Sequence, residues 1–185
     1  MDILKTFTVL LLDADGVFFT GSEFRGTLPS GESIVFKERD YRDGQGLSFL
    51  RALGISIVVV SGEGEPLQSI VTKINTLPSV ASGDWKPVEV FTGKNSAGGK
   101  VATIEAWLTE HDFSWSDCVY IGDDRNDLEG MKLAGLAVCP ADAQRLIHSI
   151  AGLTLTKKGG HGALREFSEI VLDARGVDEA TLPPA

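Results

Sequence analysis

Residues 9–16, VLLLDADG, constrain the fold more than any other part of the chain. Four consecutive apolar residues read as a strand buried on both faces, and such strands belong to parallel sheets covered by helices. Two aspartates, Asp13 and Asp15, follow one residue apart, and then Gly16. A carboxylate ending a buried strand is costly unless it caps, pairs or meets a cation. In an open α/β sheet the carboxyl ends of the strands line the ligand crevice, so these acids mark where a site belongs.

The rest of the chain repeats the pattern. Apolar runs at 8–12, 55–60, 88–91, 118–121, 136–139 and 153–155 predict strands. Helical periodicity over 46–53, 65–77, 100–111, 128–134, 142–150 and 163–174 separates them. Alternation at this pitch predicts a doubly wound, Rossmann-like α/β fold, a parallel sheet with helices on both faces. The segment 21–37 interrupts the alternation with Gly, Pro and the short patch SIVF, and reads as a β-hairpin, spanning about 19–37, that projects from the sheet. One domain is expected over 1–175, followed by a frayed or linker-like tail, GVDEATLPPA, at 176–185.

Charge narrows the function. A formal charge of −9 on 185 residues argues against a nucleic-acid or anionic-membrane surface, both of which need basic patches. An anionic substrate would then need a local cation to offset the charge, and a metal ion is the obvious one. Cys118 and Cys139 each lie in or beside an apolar run and read as buried free thiols. The first residues lack the basic start and cleavage site of a signal peptide, and no apolar run approaches the roughly 20 residues that span a bilayer. A cytoplasmic location is the expectation.

Other strand ends carry chemistry too. VVVSGEGE places Ser61 and Gly62 where a hydroxyl and backbone N–H groups could hold a phosphate, although Ser-Gly is also a common turn. VYIGDDRND places Asp123 and Asp124 just past a buried strand, with Asn126 and Asp127 behind them. Clustered oxygen ligands suit Mg²⁺, while an acidic helix N-terminus is the plainer alternative. Lys100 is read as opening the helix KVATIEAWLTEH, a position the helix dipole disfavours. That points to another task for it, or to simple solvation. DADG alone also fits a calcium loop, a turn or a cap.

Taken in order, Asp-x-Asp, Ser, Lys and Gly-Asp-Asp, each at a strand or helix end, resemble the haloacid dehalogenase superfamily over nearly the whole chain. The resemblance implies that Asp13 is a nucleophile that accepts a phosphoryl group, and that Asp15 is the general acid for the leaving alcohol and then the base for water. It implies that Ser61, Gly62 and Lys100 hold the phosphoryl oxygens. Mg²⁺ would be bound by Asp13, the Asp15 carbonyl and Asp123, with Asp124 in support. Phosphoryl transfer is mostly positioning and charge stabilisation, which gives the paired aspartates a reason: one attacks while the other moves protons.

Only a hairpin and one helix fit between Asp15 and Ser61, and one helix and a loop between Lys100 and Asp123, so no cap domain is expected. An uncovered site commonly borrows its lid from a neighbouring subunit, so an oligomer is expected. Within the superfamily the stretches LLDADGVFFTG, RDGQGLSFLRALGISIVVVSGE, YIGDDRNDLEGMKLAGLAVCPADA and KKGGHGALREF resemble the 3-deoxy-D-manno-octulosonate 8-phosphate phosphatases and relatives acting on nine-carbon acids. That narrower resemblance implies a homotetramer, in which Gly160, Gly162 and Arg165 lie in an element that helps complete a neighbour's site, with Lys157, Lys158 and His161 suited to meet a carboxylate or phosphate. A flexible turn before a helix is the other reading of GGHG.

Departures bear on the substrate. Glu63 stands where the octulosonate enzymes usually carry Arg, as in the nine-carbon relatives, and Lys73 lies near the position of their partner lysine. Thr20 replaces the usual acid after DGV, and TGKNSAGGK leaves Lys94 as a second candidate beside Lys100. The expectation is a Mg²⁺-dependent phosphatase of a small sugar-acid phosphate, the nine-carbon acid placed ahead of the eight-carbon one. The alternatives are another phosphorylated metabolite, or a non-catalytic module like the domain fused to cytidylyltransferases.

Overall fold

The computed structural model describes residues 2–94 and 96–183. Its strands are β1 (Val9–Leu12), β2 (Glu23–Thr27), β3 (Ser33–Lys37), β4 (Ser56–Val60), β5 (Glu89–Phe91), β6 (Cys118–Ile121), β7 (Leu136–Cys139) and β8 (Leu153–Thr154). Its helices are α1 (Ile3–Thr6), α2 (Tyr41–Ala52), α3 (Leu67–Ile74), α4 (Pro78–Ala81), α5 (Ala97–Glu110), α6 (Leu128–Leu133), α7 (Arg145–His148) and α8 (Ala163–Arg175). Six strands form one parallel sheet in the order β5-β4-β1-β6-β7-β8, and β2 and β3 pair separately as an antiparallel hairpin.

Strand alternation sorts the core into two layers. Leu10, Leu12, Ile57, Val59, Val119 and Ile121 pack on one face beneath α2 and α8, with Leu47, Leu50, Phe167 and Val171. Val9, Leu11, Val58, Val60, Cys118 and Tyr120 pack on the other beneath α5 and α6, with Ile104, Trp107, Leu108 and Met131. Each fully buried aliphatic side chain is worth about 1.5–3 kcal/mol relative to exposure, so β1 and β6, buried on both faces, take the centre. Cys118 and Cys139 are buried free thiols. Among the described residues no helix is long and apolar enough to cross a membrane.

Chain order positions the site. From β1 the chain steps outward through β4 to β5, then returns to lay β6 against the other side of β1. The loops leaving β1 and β6 therefore turn toward opposite faces, and a crevice opens between them at the carboxyl rim. The Asp13 N–H donates to the Ile121 carbonyl at 3.1 Å, so the strand-end aspartate enters that crevice in register with the end of β6.

The region C-terminal to β8 braces the rim. A Cβ on Gly159 would stand 1.8 Å from the Gly16 carbonyl oxygen, and one on Gly160 2.4 Å from the Thr20 nitrogen. The Gly160 N–H donates to the Val17 carbonyl at 2.8 Å. Gly159 and Gly160 of GGHG thus serve close backbone packing against the loop after β1, which corrects the flexible-turn alternative. Asp43, fully buried on α2, accepts from the Gly162 and Arg165 N–H groups at 3.1 and 2.9 Å and caps α8 from outside its own segment.

Several boundaries differ from the sequence reading. Helix α5 starts at Ala97, with Ser96 Oγ accepting from the Gly99 N–H at 3.1 Å, so Lys100 does not open the helix but completes its first turn. Helix α2 starts five residues earlier than periodicity indicates, because Asp40 caps it through the Arg42 N–H at 2.8 Å. Helices α3 and α7 are shorter than expected, and α1 and α4, each of four residues, carry too few turns to show periodicity. The tail read as frayed turns back instead: α8 ends at Gly176 (φ 64°), a 3₁₀ turn follows at Glu179–Thr181, and Glu179 pairs with Arg165 at 2.6 Å. Residues 184 and 185 of that tail lie outside the described residues.

Asp43→Ala would leave two buried amide donors unpaired, so it should cost about 2 kcal/mol, the sum expected for a lost cap and a charged acceptor. Urea denaturation checks this, and an unchanged midpoint would contradict the bracing role.

Candidate active site

The strand ends converge on one ammonium. Lys100, 1% exposed on the first turn of α5, places Nζ 2.8 Å from Asp13 Oδ1 and 2.8 Å from Asp127 Oδ1. Asp13 Oδ1 also accepts from the Ala14 N–H at 2.7 Å, while among the described residues its Oδ2 has no hydrogen bond. Asp127 is saturated. Its Oδ1 accepts from Lys100 and from the Tyr120 hydroxyl at 3.0 Å, and its Oδ2 from the Asp123 and Asp124 N–H groups at 3.1 and 3.3 Å. Asp127 therefore holds both the lysine and the loop that carries Asp123.

Asp123 stands across from Asp13 with its Oδ1 buried and without a hydrogen-bond partner among the described residues. Gly16 makes room for it: a Cβ there would lie 2.1 Å from Asp123 Oδ2, and φ of +84° suits glycine in any case. Single ligand atoms of Asp13, Asp123 and Asp127 lie within 4.8 Å of one another. Three carboxylates against one ammonium leave two negative charges, and the donors are hard oxygens. The set fits a divalent cation such as Mg²⁺. Asp13 and Asp123 would hold it, since the oxygens of Asp127 are already engaged.

Electrostatics tell the same story. Burial, then the charge of Asp127, pushes the Asp13 carboxyl up to about 7 in spite of Lys100. Burial, then Asp127, Asp13 and Asp124, pushes Asp123 up to about 8. Burial alone would pull the Lys100 ammonium down, but Asp127 and Asp13 more than offset it and raise it.

The remaining expected site residues divide. Ser61, buried at the end of β4, accepts from the Glu63 N–H through Oγ at 3.2 Å, with Gly62 between them on the rim. Asp15 sits on the rim, its Oδ1 accepting from Lys37 Nζ at 2.7 Å, and Lys37 also reaches Glu63 Oε2 at 3.2 Å. Lys94 bonds the Ser61 carbonyl through its backbone N–H at 3.0 Å and lines a groove between β5 and α5, so the lysine brought to Asp13 is Lys100. Asp124 is exposed and turns its carboxylate to the Arg125 N–H at 2.6 Å.

Lys73 is not at the site. It is exposed near the end of α3, two residues before Asn75, which bonds the Val88 carbonyl where the chain enters β5, at the opposite end of the sheet. Arg165 is held within its own chain by Gln45, Glu169 and Glu179 and stacks over Phe49. With Arg42, Lys157 and His161 it lines a separate cavity of about 330 Å³. Lys37 was missed as a site residue, and Asp127, named within the acidic cluster, was given no role of its own. Asp127 lay in sight behind GDD, four residues past Asp123 and on the same turn; Lys37 gave no local signal.

The sequence model of the family described as haloacid dehalogenase-like hydrolase matches residues 29–132. A 3-deoxy-D-manno-octulosonate 8-phosphate phosphatase from Salmonella typhi is 29% identical over 173 residues, 93% of this chain and 83% of that protein. N-acylneuraminate cytidylyltransferase B from Danio rerio is 27% identical over 147 residues, 79% of this chain, and the chain spans about a third of such cytidylyltransferases. Among solved structures, the cobalt-bound deoxy-D-mannose-octulosonate 8-phosphate phosphatase from Haemophilus influenzae superposes with a TM-score of 0.75 at 27% identity, covering 94% of this chain and 92% of that one.

The raised carboxyls have a measurable consequence. Between about pH 4 and about pH 8 the folded protein keeps protons that the unfolded chain has lost, so metal-free protein should lose stability as pH rises through that window. A divalent cation competes with those protons, so Mg²⁺ should raise the melting temperature more at about pH 8 than at about pH 5. A melting temperature indifferent to Mg²⁺ at both values would contradict the cation reading.

Proposed function

The chain belongs to the haloacid dehalogenase-like hydrolases, and on that premise we propose that it is a phosphatase that hydrolyses a sugar-acid phosphate with the help of Mg²⁺. The observation that supports this most is the buried Asp13, held against Lys100 beside the unpartnered oxygen of Asp123. Such a carboxylate is fixed in place, has one oxygen free, and faces a site built for charge compensation.

In this reading a free oxygen of Asp13 attacks phosphorus while the ester P–O bond breaks, and Asp15 gives its proton to the departing alkoxide. Water then attacks the aspartyl phosphate, Asp15 takes its proton, and inorganic phosphate leaves with Asp13 restored. Lys100, Ser61 Oγ and the backbone around Gly62 hold the equatorial oxygens. Bound Mg²⁺ would neutralise the repulsion between phosphate and carboxylates. Among the described residues only the hairpin and α2 separate Asp15 from β4, so no cap domain covers the rim.

The substrate class follows from the likeness to the Salmonella typhi phosphatase, most of whose length is covered. The lean toward a nine-carbon acid rested on Glu63 and Lys73 together. With Lys73 at the other end of the sheet, and Lys37 on Glu63 instead, only Glu63 still supports it. Turnover of the octulosonate 8-phosphate and of nonulosonate 9-phosphates, with and without Mg²⁺, tests the reading. Mg²⁺-dependent phosphate release should fall by about 10³-fold or more in Asp13→Asn. No release from any of them would count against it.

The homotetramer remains part of this proposal. Phe24 and Phe36 face each other across the hairpin, each 59% exposed, with Val35 and Leu28 also exposed nearby. Apolar pairs left to solvent mark contact surfaces. Sedimentation should give a tetramer, and Phe24→Ser with Phe36→Ser a smaller species; a parent that sediments as a monomer would refute it.

A further inference from the structure

Lys37 is a lysine where the fold would not be expected to bury one. It is the last residue of β3, its side chain is 5% exposed, and its Nζ lies over the Phe19 ring, 5.7 Å from the centroid. Burying an ammonium is unfavourable unless acceptors replace water. Here two do: Asp15 Oδ1 at 2.7 Å and Glu63 Oε2 at 3.2 Å. Three separate segments, the loop after β1, the foot of the hairpin and the loop after β4, thus meet on one nitrogen. The foot is itself pinned, because the Thr20 N–H donates to the Glu38 carbonyl at 3.0 Å.

We propose that Lys37 is a positioning residue for the proton-transferring carboxyl: it claims Asp15 Oδ1 and leaves Oδ2 as the oxygen that serves the leaving group. This rests on the phosphatase reading above. Among the described residues Oδ2 of Asp15 has no hydrogen bond, and the carboxylate is partly open to the rim. A carboxyl fastened at one oxygen has lost the rotation that would exchange the two, so the other is held in one direction. In the first half-reaction the proton on Oδ2 passes to the ester oxygen as the P–O bond breaks and the phosphoryl group joins Asp13. In the second, the attacking water gives a proton back to Oδ2 as the bond from Asp13 to phosphorus breaks. Glu63 gives Lys37 a second anchor, so the ammonium is not free to follow Asp15 or a substrate oxygen.

The role has a signature that a structural role lacks. An alkoxide leaves only with a proton, whereas p-nitrophenolate leaves without one. First-turnover release of the alcohol should be compared for octulosonate 8-phosphate and p-nitrophenyl phosphate, in the parent and in Lys37→Met. The alkyl ester should slow by about 30- to 100-fold, the scale of a misplaced acid, and the aryl ester by about 5-fold or less, so that the ratio of the two rates changes at least several-fold. Lys37→Arg, which keeps charge and donors, should recover part of the alkyl rate. Lys37→Gln, which keeps one donor, should shift the ratio in the same direction should the methionine variant fail to fold. Equal slowing of both esters, or no slowing of either, would overturn the positioning role while leaving the phosphatase reading intact. A parent inert toward both would overturn that reading and this inference together.

Discussion

The buried ion pairs of Lys100 with Asp13 and Asp127 are the interactions on which the rest of the site depends. Taking a carboxylate to the end of a fully buried strand is tolerable because an ammonium waits there, and that ammonium is tolerable because two carboxylates receive it. Breaking such a group by removing one partner leaves an uncompensated charge, a loss of about 3–5 kcal/mol. The arrangement is also incomplete by design. Lys100 satisfies only part of the negative charge, and the remainder, concentrated on Asp123 and the free oxygen of Asp13, is what a divalent cation and a phosphoryl group would meet.

Topology and glycine make that geometry reachable. The switch of strand order from one side of β1 to the other opens the crevice, and the parallel register of β1 with β6 brings Asp13 and Asp123 to the same rim. Contact then depends on absent side chains. Gly16 admits Asp123, Gly122 leaves room for Asp127, whose Cβ would otherwise meet a new Cβ at 2.5 Å, and Gly159 and Gly160 let the segment before α8 rest on the acid loop. Asp43 joins α2 to the start of α8 behind that segment, so the acid loop is backed by two packed helices rather than by solvent.

Much of this was legible in the residues. The parallel sheet and the strand-end placement of Asp13, Ser61 and Asp123 follow from apolar runs that end abruptly in functional groups, and the hairpin from the Gly and Pro around SIVF. Lys100, by contrast, was preferred to Lys94 for opening a helix that in fact begins at Ala97. The errors have physical causes. Asp127 was given no role because the turn that buries the fourth residue beneath the first is not visible in sequence. Lys73 was offered as a partner of Glu63 because it lies near the lysine position of the nine-carbon relatives, but α3 leaves the rim and carries it away. Lys37 could not be found locally: it depends on how the hairpin folds back on the loop after β1, a contact between residues 22 positions apart. Lys100 was misread as a helix start because the two glycines before it hid a helix that Ser96 had already capped.

The central claim is that Asp13 forms a bond to phosphorus, and the most direct measurement is to stop the reaction in acid during turnover and look for that bond. Mass spectrometry of the digested protein should find phosphate on the peptide holding Asp13, in an acyl linkage that hydroxylamine removes, and only when substrate and Mg²⁺ are both present. Phosphate on another residue, or substrate turnover with no phosphate on the protein at any quench time, would contradict the account.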